Sequence, residues 1–167
     1  MGRGSRPDTD RVEDFDGFFD RAYGPLLRLA VAMTGSPAEA EDLAQEAMTR
    51  ALERWPRVRE MSSPAGYVYR IALNLNRSRL RRLRLRLEGL REPRHPAHAD
   101  PETIGSLVAS LGSLPRGQRE ALLLVEWLGF DAPEAGEILG IAPSSVRSRI
   151  HRAKAALRIE GGEIGGA

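Results

Sequence analysis

Apolar residues recur at helical spacing along most of this chain. Phe15, Phe18, Phe19, Ala22, Leu26, Leu29 and Met33 follow i, i+3 or i+4 steps, which predicts a helix over 12–34 that Gly24-Pro25 bends or interrupts. The stretch SPAE at 36–39 is a start signal, with Ser36 as cap, Pro37 at the first helical position and Glu39 closing a capping box. The helix it opens carries Ala40, Leu43, Ala47, Leu52 and Trp55 as its apolar stripe, and Pro56 stops it. Ser63-Pro64 opens a third helix in the same way, with Tyr67, Val68, Ile71, Leu75, Leu80 and Leu83 as the stripe. The alternation RLRLRL at 82–87 fits a strand, but Leu80, Leu83, Leu87 and Leu90 keep helical spacing equally well. Three such helices bury a shared core.

The pattern then fails. Between Glu88 and Gly105 there is no stripe, and Pro93, Pro96 and Pro101 interrupt the backbone, so 88–105 reads as a linker. Helical spacing resumes over 106–160 in LVASLGSL, QREALLLVEWLGF, PEAGEILG and the cation-rich VRSRIHRAKAALR. Residues 1–11 and 161–167 are polar or glycine-rich without periodicity and are expected to be disordered. The expected fold is all-α: two small helical domains, over 12–87 and 106–160, joined by a flexible linker and moving independently.

Composition narrows the chemistry. The 167 residues carry a net charge of only +2, and all 25 basic residues except Lys154 are arginine. A bias that general says little, whereas the places where arginines cluster say more. There is no cysteine, which excludes disulfides, thiol redox chemistry and Cys-ligated zinc. No apolar run approaches the roughly 20 residues of a membrane span, and MGRGSRPDTDR lacks a hydrophobic signal segment, so a cytoplasmic protein without membrane insertion is expected. His95 and His98 sit in the linker without further ligands, so no metal site is expected. No triad, paired carboxylates or nucleotide-binding glycine loop occurs, and neither a catalytic residue nor a cofactor is expected.

The C-terminal stretch carries the sharpest signal. At about 100° per residue, Val146, Ile150, Ala153 and Leu157 share a narrow arc. Opposite them lie Ser144, Ser148, His151 and Ala155, flanked by Arg147 and Arg152. A merely solvated helix more often shows Glu and Lys there. Small hydrogen-bonding groups with cationic shoulders instead suit a helix that enters a major groove. The short helix PEAGEILG, the turn at Gly140 and this second helix make a helix-turn-helix.

These residues carry a family resemblance. LPRGQREALLLVEWLGFDAPEAGEILGIAPSSVRSRIHRAKAALR, 114–158, resembles the C-terminal promoter-binding domain of bacterial RNA polymerase sigma factors, in particular the extracytoplasmic-function (ECF) subgroup. SPAEAEDLAQEAMTRALERW, 36–55, resembles the helix by which these factors grip core polymerase, and SPAGYVYRIALNLNRSRLRR, 63–82, the helix that opens and reads the minus-10 element. The resemblance implies core polymerase contacts at Asp42, Leu43, Gln45 and Glu46. It places minus-10 contacts at Asn74, Arg77, Ser78, Arg81 and Arg82, and minus-35 contacts at Ser144, Ser145, Arg147, Ser148, His151 and Arg152. It also implies an anti-sigma partner, and a base pocket in PRVREMSS, 56–63, lined by Arg57, Arg59 and Met61. Where the family often has Arg and Asp, this chain has Leu73 and Ser78, which leaves the minus-10 base preference open. Trp55, Tyr67 and Tyr69 either stack on bases or fill the core. The rival function is a stand-alone helix-turn-helix regulator, which would bind DNA tightly without polymerase.

Overall fold

In the structure, a computed structural model, residues 9–88 and 104–161 are described. The terminal segments, most of the expected linker and its His95 and His98 lie outside them. The described residues are helical, with no strand among them. Helix α1 spans Thr9–Thr34, α2 Pro37–Glu53, α3 Trp55–Val58 and α4 Pro64–Glu88. Helix α5 spans Ile104–Ser113, α6 Arg116–Leu122, α7 Ala132–Leu139 and α8 Pro143–Gly161. The alternation at 82–87 is the end of α4, so the leucine spacing, not the period of two, describes its backbone.

The N-terminal unit packs α1 against α2, and α4 against both. Phe15, Phe18, Leu26, Leu29 and Met33 of α1 meet Leu43, Ala47 and Met48 of α2 and Val68 and Leu73 of α4 in one core. Alanines at 40, 44, 47 and 51 are fully buried on α2 and let α1 approach closely. Pro25 stays inside α1, where its missing N–H breaks one ladder bond without ending the helix. Pro56 does not stop α2 either. The helix ends at Glu53, and Pro56 sits in the first turn of α3, a position proline tolerates.

Two expected stripes need correction. On α2 the buried face continues through Ala51 and turns to Trp55, leaving Leu52 45% exposed. On α4 it runs through Val68, Tyr69, Ala72, Leu73 and Asn76, about one position from the expected stripe. Leu80 and Leu83 lie beyond the last residue that the other helices cover, and both are exposed. The capping box at 36–39 is half made. Ser36 Oγ accepts from the Glu39 N–H at 3.4 Å, but the Glu39 carboxylate is drawn away to Arg79 of α4.

The second unit surrounds Leu122, Leu124, Ala135, Leu139, Val146, Ile150 and Ala153. After α6 the backbone makes a π-turn over Leu123–Trp127, where Leu128 N–H donates to Leu123 C=O at 3.0 Å. Asp131 caps α7 in a complete capping box with Glu134, and Gly140, at φ 71°, ends it in the left-handed region that favours glycine. Gly136 is equally constrained, because a Cβ there would stand 2.7 Å from the carbonyl oxygen of Ile141 in the turn.

The fold is all-α with two helical domains, and these touch each other. Helix α5 packs on α1, and α7 on α4. Tyr69 meets Phe130 edge-on, with ring centroids 5.6 Å apart, and burial pushes its phenol pKa up against the opposing field of Arg28. The independent movement expected from the linker is at odds with these contacts.

Candidate nucleic-acid interface

Helix α8 presents the ridge that its periodicity predicts. Val146, Ile150 and Ala153 are buried, whereas Ser144, Ser145, Arg147, His151 and Arg152 are exposed and Ser148 is half-buried. Arg152 Nη2 donates to Ser148 Oγ at 3.0 Å, which fixes the guanidinium along the ridge. Arg149, absent from the expected set, joins Ser144, Ser145, Ser148 and Arg152 in lining one open concavity. Its guanidinium lies on Gly117 of α6, where a Cβ would come within 2.9 Å of Nη1. The available signal was a glycine inside a helix at a position no turn requires. Three hydroxyls and two guanidiniums around one hollow suit phosphate oxygens, and the ridge beside it can reach base edges.

Helix α4 carries the second basic surface. Asn74, Ser78, Arg81 and Arg82 are exposed, and Asn74 and Ser78 share a face as expected. Arg77, on the same face, is engaged. Its Nη2 and Nε donate to the two carboxylate oxygens of Glu120 on α6 at 2.6 and 3.2 Å, and its Nη1 lies 3.5 Å from Asn74 Oδ1. Glu120 is 2% exposed. Its hydrogen bonds hold the Arg77 guanidinium more firmly protonated than usual, against the effect of burial. Arg79 is likewise occupied, by Glu39.

The third surface is acidic. Asp42, Gln45, Glu46 and Glu53 face outward from α2, and Glu46 Oε1 accepts from Arg50 Nε at 2.8 Å. Leu43 is buried and holds the helix to the core. The aromatic choice also resolves in geometry. Trp55 is buried with Phe15 and Phe18 at ring separations of 5.2 and 5.0 Å, and Tyr69 is buried against Phe130. Tyr67 is half-buried, its hydroxyl accepting from Arg54 at 3.3 Å. Before α4, Arg57 in α3 and Arg59 and Met61 in the loop that follows it are exposed. Among the described residues no group of acidic or histidine side chains is arranged to hold a metal.

The chain is similar to known proteins. Residues 18–86 match the family described as Sigma-70 region 2, and residues 104–157 match Sigma-70, region 4. The ECF RNA polymerase sigma factor EcfG of Rhodopseudomonas palustris is 34% identical over 143 residues, 80% of this chain and 77% of that protein. This chain belongs to the ECF family of RNA polymerase sigma factors. SigM of Mycobacterium tuberculosis is 31% identical over 86% of this chain and 74% of its own length. Among solved structures, the sigma factor RpoE bound to the anti-sigma factor NepR, from Bartonella quintana, has the same fold, with a TM-score of 0.78 at 23% identity, over 90% of this chain and 99% of that one. CnrH in complex with the cytosolic domain of CnrY follows at a TM-score of 0.66 and 25% identity, over 90% and 89%. Sigma factors are regulatory, non-enzymatic proteins. No helix among the described residues is long and apolar enough to cross a membrane.

Proposed function

We propose that this sigma factor places core RNA polymerase at promoters through three surfaces, one for each helix described above. The outward face of α2, with Asp42, Gln45 and Glu46 held on a base that includes Leu43, binds core polymerase. Complementary charge there contributes register and association rate more than raw affinity. The face of α4 with Asn74, Arg77, Ser78, Arg81 and Arg82 takes the opened minus-10 strand. The ridge of α8, with Ser144, Ser145, Arg147, Ser148, His151 and Arg152, takes the minus-35 duplex. The N-terminal unit, 12–87, and the C-terminal unit, 106–160, thus divide the promoter, with 88–105 between them. The polymerase performs the chemistry, and this chain, in the cytoplasm and without a catalytic group or cofactor, selects the start site. Since the solved relatives are bound to NepR and CnrY, an anti-sigma factor is the expected regulatory partner.

The observation that supports this reading most is the α8 ridge, where small polar groups face outward between arginines on a helix whose opposite face buries Val146, Ile150 and Ala153 and half-buries Leu157. Co-purification with core polymerase followed by run-off transcription tests it. Polymerase-dependent initiation from a restricted set of promoters is expected. Tight binding to palindromic duplex without polymerase would instead establish a stand-alone helix-turn-helix regulator.

A further inference from the structure

Gly117 is the second residue of α6, and no backbone requirement explains it. Its φ is not among the left-handed values found at Gly35, Gly129 and Gly140. Glycine inside a helix is unfavourable relative to alanine, because a freer backbone is ordered and no side chain packs. The space that a Cβ would take is filled by the Arg149 guanidinium of α8. A Cβ on Gly117 would stand 2.9 Å from Nη1, 3.1 Å from Cζ and 3.5 Å from Nε, so the planar group lies across the glycine. Non-bonded contacts relax at about 3.5–4.0 Å, so any side chain at 117 would push the guanidinium outward by roughly 0.5–1 Å.

Arg149 is half-buried where α8 packs on α6. Among the described residues it has neither an ion pair nor a hydrogen bond. A guanidinium partly withdrawn from water without an acceptor is unfavourable, and an anion arriving beside it removes that cost. Its neighbours suit an anion. Ser145, Ser148, Arg149 and Arg152 stand three or four positions apart on one face of α8 and, with Ser144, line the open concavity. Arg152 is tied to Ser148, whereas Arg149 keeps all its N–H donors for a ligand. The planar fork of those donors matches two phosphate oxygens at once. Arg147 and His151 lie about 160° from Arg149 around the helix, so they meet a different part of a duplex.

We infer that Gly117 of α6, outside the helix-turn-helix, is a positioning residue for duplex binding: it lets the Arg149 guanidinium lie flat on α6, aimed into the hollow of α8 to hold one backbone phosphate. The inference rests on the reading of α8 as the minus-35 helix. A phosphate contact carries no base information. Its work is to fix how α8 sits in the groove, while the ridge beyond it discriminates bases.

Full-length variants binding a fluorescein-labelled random-sequence duplex, followed by anisotropy over a salt series, test it. Gly117→Ala should weaken binding about three- to ten-fold, within the scale of one charge-assisted contact, while the melting temperature holds or rises. Arg149→Ala should weaken it at least as much and lower the slope of log affinity against log salt by about 0.9, the release expected for one phosphate. In the Arg149→Ala background Gly117→Ala should add nothing, because it acts through that side chain. A merely structural glycine would cost stability instead and would show no such coupling. Unchanged binding by a folded Gly117→Ala chain overturns the inference, as does a loss of equal size with and without Arg149. If Gly117→Ala does not fold, by circular dichroism, Arg149→Lys decides. It keeps the charge and loses the fork, so binding should fall several-fold at an unaltered salt slope. Arg149→Lys binding as tightly as the parent overturns the inference. Arg147→Ala separates it from its premise. If neither Arg147→Ala nor Arg149→Ala changes duplex binding, the reading of α8 falls first. If Arg147→Ala weakens binding while Arg149→Ala does not, the positioning role alone is wrong.

Discussion

Helices α4 and α8 are both arginine-rich and amphipathic, yet their basic faces are in different situations. On α8 the ridge cations Arg147 and Arg152 are exposed, Arg152 donating to Ser148 of its own helix, while Arg149 lies on Gly117 of α6 and Lys154 pairs with Glu126 at 2.9 Å. On α4 two of the arginines are held by carboxylates from other helices, Arg77 by Glu120 and Arg79 by Glu39. A count of arginines treats the two surfaces as equivalent. Counting what each guanidinium already touches does not. The difference matters because a cation that is free can release counterions on meeting phosphate, whereas one already paired must first give up its partner.

The largest predicted effect removes the advantage of having both surfaces on one scaffold. Two weak DNA contacts act together only while polymerase holds them at high effective concentration, which is worth on the order of 10²–10⁴ in affinity. Asp42→Arg with Glu46→Arg should abolish polymerase binding and cost promoter binding by that order. The fold should survive, because the exposed Glu46–Arg50 pair contributes only about 0.3–0.5 kcal/mol. A pull-down with core polymerase, alongside circular dichroism, checks it. Retained binding in a helical protein removes the polymerase face from α2.

A second pair of substitutions sharpens the contrast within α4 itself. Leu73, 1% exposed, should cost about 2–5 kcal/mol on truncation to alanine. Leu83→Ala, at an exposed site beyond the packed body, should stay within about 0.5 kcal/mol. Denaturant unfolding of both variants gives the comparison. Equal losses would mean that the end of α4 is covered by something in solution.

Here the sequence and the structure part company for a physical reason. On α8 the buried arc through Val146, Ile150 and Ala153 was legible, because one narrow stripe of apolar residues stands against a polar remainder. On α4 leucine, isoleucine and tyrosine fall on several sides, so periodicity admits two stripes about one position apart. Only packing on α1, α2 and the second unit chooses Val68, Tyr69, Leu73 and Asn76. The start of α2 shows the same limit. SPAE correctly opens the helix, but Glu39 leaves the capping box because Arg79, 40 positions away, offers a better partner. The link between Arg77 and Glu120 had no local signal at all. Neither residue's neighbours in sequence point to the other.

The two proposed DNA surfaces should differ in what their loss does to sequence preference. His151→Ala removes the bulkiest exposed group on the centre line of the α8 ridge and should cost roughly 1–3 kcal/mol at one base-pair position of minus-35. Arg158→Ala, exposed beyond the ridge, should lower affinity uniformly or not at all. On α4, Asn74→Ala with Ser78→Ala should reduce discrimination among minus-10 strands and leave duplex binding unchanged. Selection against minus-35 libraries at fixed salt, and run-off transcription from pre-melted bubbles, read the two outcomes. A preference profile that His151→Ala does not move would take the α8 ridge out of the groove.

The smallest effect concerns how the two proposed reader helices begin. Ser63 Oγ accepts from the Gly66 N–H at 3.0 Å and so caps α4, and Asp131 with Glu134 caps α7 in full. Helix α8 has no such device. Ala142 precedes Pro143, and although its carbonyl accepts from Val146 N–H at 3.2 Å, its side chain has no oxygen to offer the first turn. Pro143 compensates in part, because its fixed φ suits the first helical position and it has no N–H to satisfy. Ala142→Ser should therefore stabilise the chain by about 0.5–1 kcal/mol, at the lower end of what a cap contributes. Thermal unfolding checks the gain. The same serine lies beside Ser144 and Ser145, so duplex affinity provides a second readout. A stability gain with unchanged duplex affinity means that the first turn of α8 is already ordered before DNA arrives. A gain in duplex affinity beyond the stability effect means instead that the turn orders on binding.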